Sequence, residues 1–211
     1  SDLTAWSGIR KVFAADAYTV GLGYDGTLRL AGQPPFDPEI LDERWRSPTD
    51  IAVTATHMTA LYPDGTVLST RVCPASGKPG DGEVWDTVGW HGVRSIAAGK
   101  NLTVGLCYGG RVLTTGQYDV SQWRDVVSVA CGDTYILGLT AEGRVLAAGE
   151  FPTEIIPALG DTPLPFRRHT APIPADTASW RDVIALTAGS AHAAAMTTAG
   201  SVLTAGADTE G

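Results

Sequence analysis

The sequence is poor in the residues that most metal, redox and nucleophilic chemistry requires. It holds three cysteines, four histidines and two methionines in 211 residues. Cys73, Cys107 and Cys131 include no CxxC pair, and they are too scattered from the histidines for a zinc site. Three cysteines cannot form a full disulfide set. Free buried thiols are the expectation, and one Cys73–Cys107 bridge stays open as the alternative. No metal and no cofactor is expected. No apolar run reaches the roughly 18 residues that a membrane helix needs, so no membrane insertion is expected. The opening residues SDLTAW carry neither an initiator Met nor a basic stretch leading into an apolar one. A trimmed leader stays open, and the compartment is unknown, with an exported or cell-surface location allowed.

Basic residues are also scarce. Fifteen Lys and Arg face 23 Asp and Glu, for a net charge of −8. No basic run exceeds the pair Arg167–Arg168. Nucleic-acid binding draws on Lys and Arg that displace counterions from phosphates, so no nucleic-acid partner is expected. What the chain does have is enough apolar residues for a core, at 44% with only 18% charged. It also has 25 glycines and 13 prolines, well above the usual combined share of about 12%. That excess predicts many turns between short strands.

An internal repeat organises these residues. With Trp6, Trp45, Trp90, Trp123 and Trp180 in one column, the column twenty residues on is Gly26, Gly65, Gly110, Gly143 and Gly200. The column sixteen on is Leu22, Leu61, Leu106, Leu139 and Met196, and the column twenty-six on is Gly except at Arg71. Five copies of one supersecondary unit follow, at residues 6–32, 45–71, 90–116, 123–149 and 180–206. Inserted loops occupy 33–44, 72–89 and 150–179. In each unit, short apolar β-branched runs flank a turn such as YDGT, PDGT or AEGR, a strong hairpin signal. The position fifteen after Trp is Gly or Ala in every copy, which predicts close approach of a neighbouring sheet. The fold class is therefore all-β: a single propeller domain of five blades, each of about four antiparallel strands. Termini at equivalent points of the repeat predict a closed, monomeric ring whose last blade is completed by residues 1–5.

The copies WRDVVSVACGDTYILGLTAEGRVLAAG and WRDVIALTAGSAHAAAMTTAGSVLTAG resemble the regulator-of-chromosome-condensation repeat. The resemblance covers the chain apart from its inserted loops. Two departures stand out: the family's best-known members close with seven blades, and the second copy has Thr54 and Arg71 where Gly is usual. The resemblance implies a binding scaffold whose members include a GTPase exchange factor, a plant ultraviolet sensor and a bacterial β-lactamase-inhibitory propeller. Fold alone does not choose among them.

Several candidate sites can be read from the residues. The segment Gly21–Gly26 matches the dinucleotide fingerprint, but its glycines belong to the repeat and no helix follows. Tyr18, His57, Tyr135 and His192 share the column twelve after Trp, where the third copy has Leu102. They form either a polar ring at an axial opening or a set packed between blades. No catalytic residue is expected, because no nucleophile elbow, zincin or S-x-x-K motif is present. The longest insertion carries Phe151, Ile155, Ile156, Phe166, Arg167, Arg168 and His169, an apolar and basic set on an acidic chain. Arg beside aromatic residues suits a protein interface, so these residues are the predicted partner-binding set. A second, acidic loop carries Phe36, Ile40 and Leu41. The expected function is a non-enzymatic protein-binding propeller acting through its inserted loops, as a domain of a larger bacterial protein. The alternative is an enzyme or small-ligand binder that uses the axial channel.

Overall fold

The computed structural model describes residues 6–70, 87–100, 102–154, 169–172 and 175–206. Each repeat unit folds into one antiparallel sheet. The first sheet is β1 (Ile9–Ala14), β2 (Tyr18–Gly23) and β3 (Leu28–Gly32), and the second is β4 (Asp50–Val53), β5 (Met58–Leu61) and β6 (Val67–Ser69). The third is β7 (Val93–Gly99), β8 (Leu102–Cys107) and β9 (Val112–Thr114). The fourth is β10 (Val126–Cys131), β11 (Tyr135–Thr140), β12 (Val145–Glu154) and β13 (His169–Pro172). The fifth is β14 (Val183–Ala188), β15 (His192–Thr197) and β16 (Val202–Gly206). Among the described residues four sheets have three strands each, against the expected four or so, and β13 from the 150–179 insertion gives the remaining sheet its fourth strand.

The repeat columns have local causes. A backbone turn precedes the Trp in four blades, where the Trp45, Trp90, Trp123 and Trp180 amides donate to carbonyls three residues back. Two residues after Trp, the backbone turns left-handed in all five copies, at Gly8, Ser47, Gly92, Asp125 and Asp182, with φ between 55° and 67°. Gly is unstrained there, and short polar residues tolerate it. In four copies the carbonyl of this residue accepts a bond from the hairpin turn of its own blade, as Asp125 does from the Ala141 amide. The second copy has Pro63 at the donor position and no N–H to give. The Gly column fifteen after Trp reflects the Trp itself. A Cβ at Gly21, Gly105 or Gly138 would lie 2.6, 2.8 or 2.7 Å from the indole of Trp6, Trp90 or Trp123. The close approach expected from a neighbouring sheet comes from the same repeat's own ring, folded over its middle strand.

The blades pack in sequence order through four seams, and each seam is one apolar cluster. The first joins Val20 and Leu22 to Trp45, Ile51 and Met58. The second joins Leu61 and Val67 to Val93 and Ile96. The third joins Leu106 and Val112 to Trp123 and Val126. The fourth joins Leu139 and Val145 to Trp180 and Val183. At each seam a hairpin-turn carbonyl accepts from the next blade's backbone: Gly26 from Ser47, Gly65 from Val93, Gly110 from Val126 and Gly143 from Val183, at 2.8–3.3 Å. No seam of this kind joins the fifth sheet to the first among the described residues. The closed ring expected from the matching termini is therefore an open arc over these residues, and residues 1–5 lie outside them.

Candidate functional site

The column twelve after Trp sits in the seams. Tyr18 is buried, and its hydroxyl donates to the His57 carbonyl of the next blade at 3.1 Å. His57 is fully buried, with Nε2 at 2.9 Å from Thr103 Oγ1 across the second seam and Nδ1 at 3.0 Å from Thr54 Oγ1. Leu102 meets Ile136 in the third seam through apolar contact alone. The Tyr135 hydroxyl donates to the Gly189 and His192 carbonyls at 2.9 and 2.6 Å across the fourth. Each side chain thus ties its blade to the next. Burial pushes the Tyr18 hydroxyl up to about 12 and the His57 imidazole down to about 4, so both stay neutral near pH 7. His192, in the last blade, is exposed.

The axial opening is lined by other residues. The loops that join the first and second strands of all five sheets surround a pocket of about 460 Å³. Five of its residues form one column, ten after Trp: Asp16, Ala55, Lys100, Asp133 and Ser190. Thr54, Gly99, Gly132 and Gly189, one position earlier, also line it. Sequence reasoning missed this column, yet it has a signal. It varies among acid, base, hydroxyl and methyl while its neighbours repeat, so packing does not dictate its residue type. Cys131 also lines the pocket, and burial, with Asp133 adding to it, raises its thiol well above the usual range. A neutral thiol is a poor nucleophile. The described residues include no group of three or more His, Cys, Asp or Glu placed to hold a metal ion.

The insertion after the fourth unit begins as a continuation of the blade. β12 runs on to Glu154, and β13 returns beside it, with Phe151 opposite Ala171 and Glu154 opposite His169. Phe151 and His169 therefore stand on an antiparallel ribbon at the blade's outer edge. Ile155, Ile156, Phe166, Arg167 and Arg168 belong to the segment between these strands, outside the described residues. A short helix α1 (Ala175–Ser179) then leads to Trp180. The acidic loop behaves differently. Phe36 is buried edge-to-face on Tyr18, and Ile40 and Leu41 pack against the first seam. Its two 3-10 turns (Pro38–Ile40 and Glu43–Trp45) are capped by the Asp37 and Asp42 carboxylates.

No family model and no curated protein matches this sequence. Solved structures do match. Yeast (Saccharomyces cerevisiae) Prp20p matches with TM-score 0.59 at 15% identity, over 94% of this chain and 58% of its own. Human WBSCR16 matches with TM-score 0.59 at 17%, over 94% and 61%. The CRINKLY WD40 ectodomain of the Arabidopsis thaliana receptor kinase ACR4 matches with TM-score 0.55 at 17%, over 92% and 64%. The fold is an RCC1-like β-propeller. This chain spans less than two-thirds of the length of each of these structures. At such identities the likeness concerns architecture alone.

Proposed function

We propose that this propeller is a non-enzymatic protein-binding domain whose main contact element is the 150–179 insertion. The observation that carries this reading is the β12–β13 ribbon. It extends the outer edge of the fourth blade at the base of an insertion whose sequence is apolar and carries Arg167 and Arg168. A link needs only the six residues between Gly116 and Trp123, so the extra length serves no connecting purpose. Loops borne on rigid scaffolds are where recognition concentrates. Protein binding by this fold has precedent in Prp20p, described with its binding to Gsp1p and histones. The net charge of −8 here favours a protein over a nucleic acid as partner. To test it, the chain and a variant with residues 155–168 replaced by a short Gly-Ser turn are used as baits in the source organism, with quantitative mass spectrometry. Partners retained by the chain and lost by the variant, while both melt alike, support the reading. Identical partner sets from the two baits overturn it.

A second reading rests on the axial pocket. Its volume falls in the range of small-ligand sites, and Asp16, Lys100, Asp133 and Ser190 bring hydrogen-bonding groups to it from four blades. A thermal-shift screen of small polar ligands, repeated on Lys100→Ala, separates this reading from the first.

A further inference from the structure

The exposed large apolar side chains of the described residues fall into two groups. Val12, Met196 and Val202 lie at the two ends of the arc. Tyr24, Val88, Tyr108, Val127 and Ile184, 43–87% accessible, gather on one face of the propeller. The topology fixes which face. The loops joining first to second strands surround the axial pocket. The hairpin turns joining second to third strands therefore stand on the opposite face, beside the start of each first strand, as Gly23 stands opposite Ile9. There the Tyr24 and Tyr108 amides donate to the Gly8 and Gly92 carbonyls. Val88 joins them, since its neighbour Thr87 donates to the Val67 carbonyl just after a hairpin turn. On the axial-loop face no large apolar side chain is exposed among the described residues.

Over the third and fourth seams this hairpin face is also basic. Arg94 and Arg111 come from the third blade, Arg124 and Arg144 from the fourth, and Arg181 from the fifth, and all are exposed. The seams make the group contiguous. The Gly110 carbonyl accepts from Val126, which sets the turn of Tyr108 and Arg111 beside Arg124 and Val127. The Gly143 carbonyl accepts from Val183, which sets Arg144 beside Arg181 and Ile184. Arg94 Nη2 donates to the Val127 carbonyl at 2.9 Å across the third seam. Two guanidiniums are anchored alike: Arg124 Nη1 donates to the Ser121 and Trp123 carbonyls, and Arg181 Nη1 to the Ala178 and Trp180 carbonyls, all at 2.6–2.8 Å. Anchoring one nitrogen orients the rest of the fork and lowers the entropy lost when an acceptor binds it. Asp125, Glu142 and Asp182 share this face, yet none of the five arginines forms an ion pair among the described residues.

We propose that the hairpin face of the third to fifth blades is a docking surface for a protein segment that carries carboxylates beside apolar side chains. It uses none of the residues of the 150–179 insertion. Charge identifies the carboxylates: five arginines meet three acids here, on a chain whose acids outnumber its bases by 23 to 15. A guanidinium fork matches a carboxylate in a bidentate way. Tyr108, Val127 and Ile184 identify the apolar part, because they stand between the arginines and a bare polyanion would leave them uncovered. Arg beside aromatic and aliphatic side chains is the composition of interface centres. A short segment meets this patch alone. A nucleic acid or an anionic lipid surface would also meet the field of the whole chain, with its net charge of −8.

The test selects a displayed library of random dodecapeptides on the immobilised 211-residue chain. The enriched peptides are then synthesised and titrated by fluorescence anisotropy against the chain and its variants. Enriched sequences are expected to combine Asp or Glu with aliphatic or aromatic residues. The double variant Arg111→Ser/Arg144→Ser is expected to bind them at least about tenfold more weakly. The repeat itself places Ser201 and Thr66 at this position, so the double variant is expected to melt within about 2 °C of the parent. Tyr108→Ser, at an exposed turn, gives a second reading and is expected to weaken binding by about threefold or more. Lys100→Ala, on the axial face, and replacement of 155–168 by a short Gly-Ser turn are expected to leave binding unchanged. A library that yields no acidic sequences overturns the proposal, as does binding that both the double variant and Tyr108→Ser retain in full. Peptides lost on replacing 155–168 but retained by the double variant overturn it too, and support the insertion instead. Tighter binding of oligothymidylate, or of vesicles of phosphatidylcholine and phosphatidylserine, than of any selected peptide also overturns it.

Discussion

At the scale of single residues, the repeat separates two costs that usually come together. Gly110 and Gly200 occupy the same turn position with φ of 78° and 79°. An alanine at either carries the same left-handed strain, about 1–2 kcal/mol. At Gly110 the added methyl also strikes the backbone amide of Val126 in the next blade, while at Gly200 it meets open space. Gly110→Ala is therefore expected to destabilise by a further 1–3 kcal/mol or so relative to Gly200→Ala, read by urea denaturation of both variants. His57 gives a pH prediction. Its imidazole falls to about 4 in the fold against 6.5 unfolded, so the unfolded chain binds more protons between those values. Its contribution is fully present above pH 6.5 and is lost as pH drops towards 4, by up to about 3 kcal/mol. His57→Gln is expected to flatten the stability–pH curve over that window, and an unchanged slope contradicts the assignment. The carboxylates of Asp25, Asp64 and Asp119 titrate lower, held down by bonds from Thr27, Thr66 and Ser121.

At the scale of elements, a blade is a small antiparallel sheet under its own Trp, tied to its neighbours through the seams. The Tyr135 hydroxyl shows how such a tie works. It serves two carbonyls of the fifth blade from within a buried seam, so Tyr135→Phe removes the donor that crosses the seam, while the His192 carbonyl keeps its bond from the Gly189 amide. A loss of about 1–3 kcal/mol is expected in chemical denaturation. Tyr108→Phe, at an exposed turn, serves as the control and is expected to be silent. The first strands carry a second shared device. In blades one, three, four and five the register with the middle strand shifts near the start, at Arg10, Arg94, Val127 and Ile184. The extra residue turns outward, which is why Val127 and Ile184 are exposed while their neighbours Val126 and Val183 are buried.

At the scale of the whole molecule, an arc of blades has middles and ends. The second, third and fourth sheets are held on both faces, and the first and fifth on one. Local opening is cheapest where the fewest buried contacts are lost. Native-state hydrogen exchange of the 211-residue chain is therefore expected to release the β15 and β16 amides well before those of β8 and β11. Uniform protection across the five sheets would contradict an arc built from four seams.

The sequence determined the elements by itself. The Trp, Leu and Gly columns place five copies of a hairpin-bearing unit, because each column answers a local demand: a ring over a small residue, a positive φ, a turn. Those demands are met within one repeat and are written at fixed spacing, so they survive being read in one dimension. The tertiary structure decided how the copies relate. Whether the ring closes depends on which faces find a partner, and Met196 and Val202 read like any other apolar residues until their seam proves empty. The same holds for Tyr18, His57 and Tyr135, whose column could serve a channel or a seam and takes its chemistry from the blade opposite. The axial column of Asp16, Ala55, Lys100, Asp133 and Ser190 was hidden for the complementary reason. Residues more than 170 positions apart become neighbours only around an axis, and no periodicity marks a position that packing leaves free to vary.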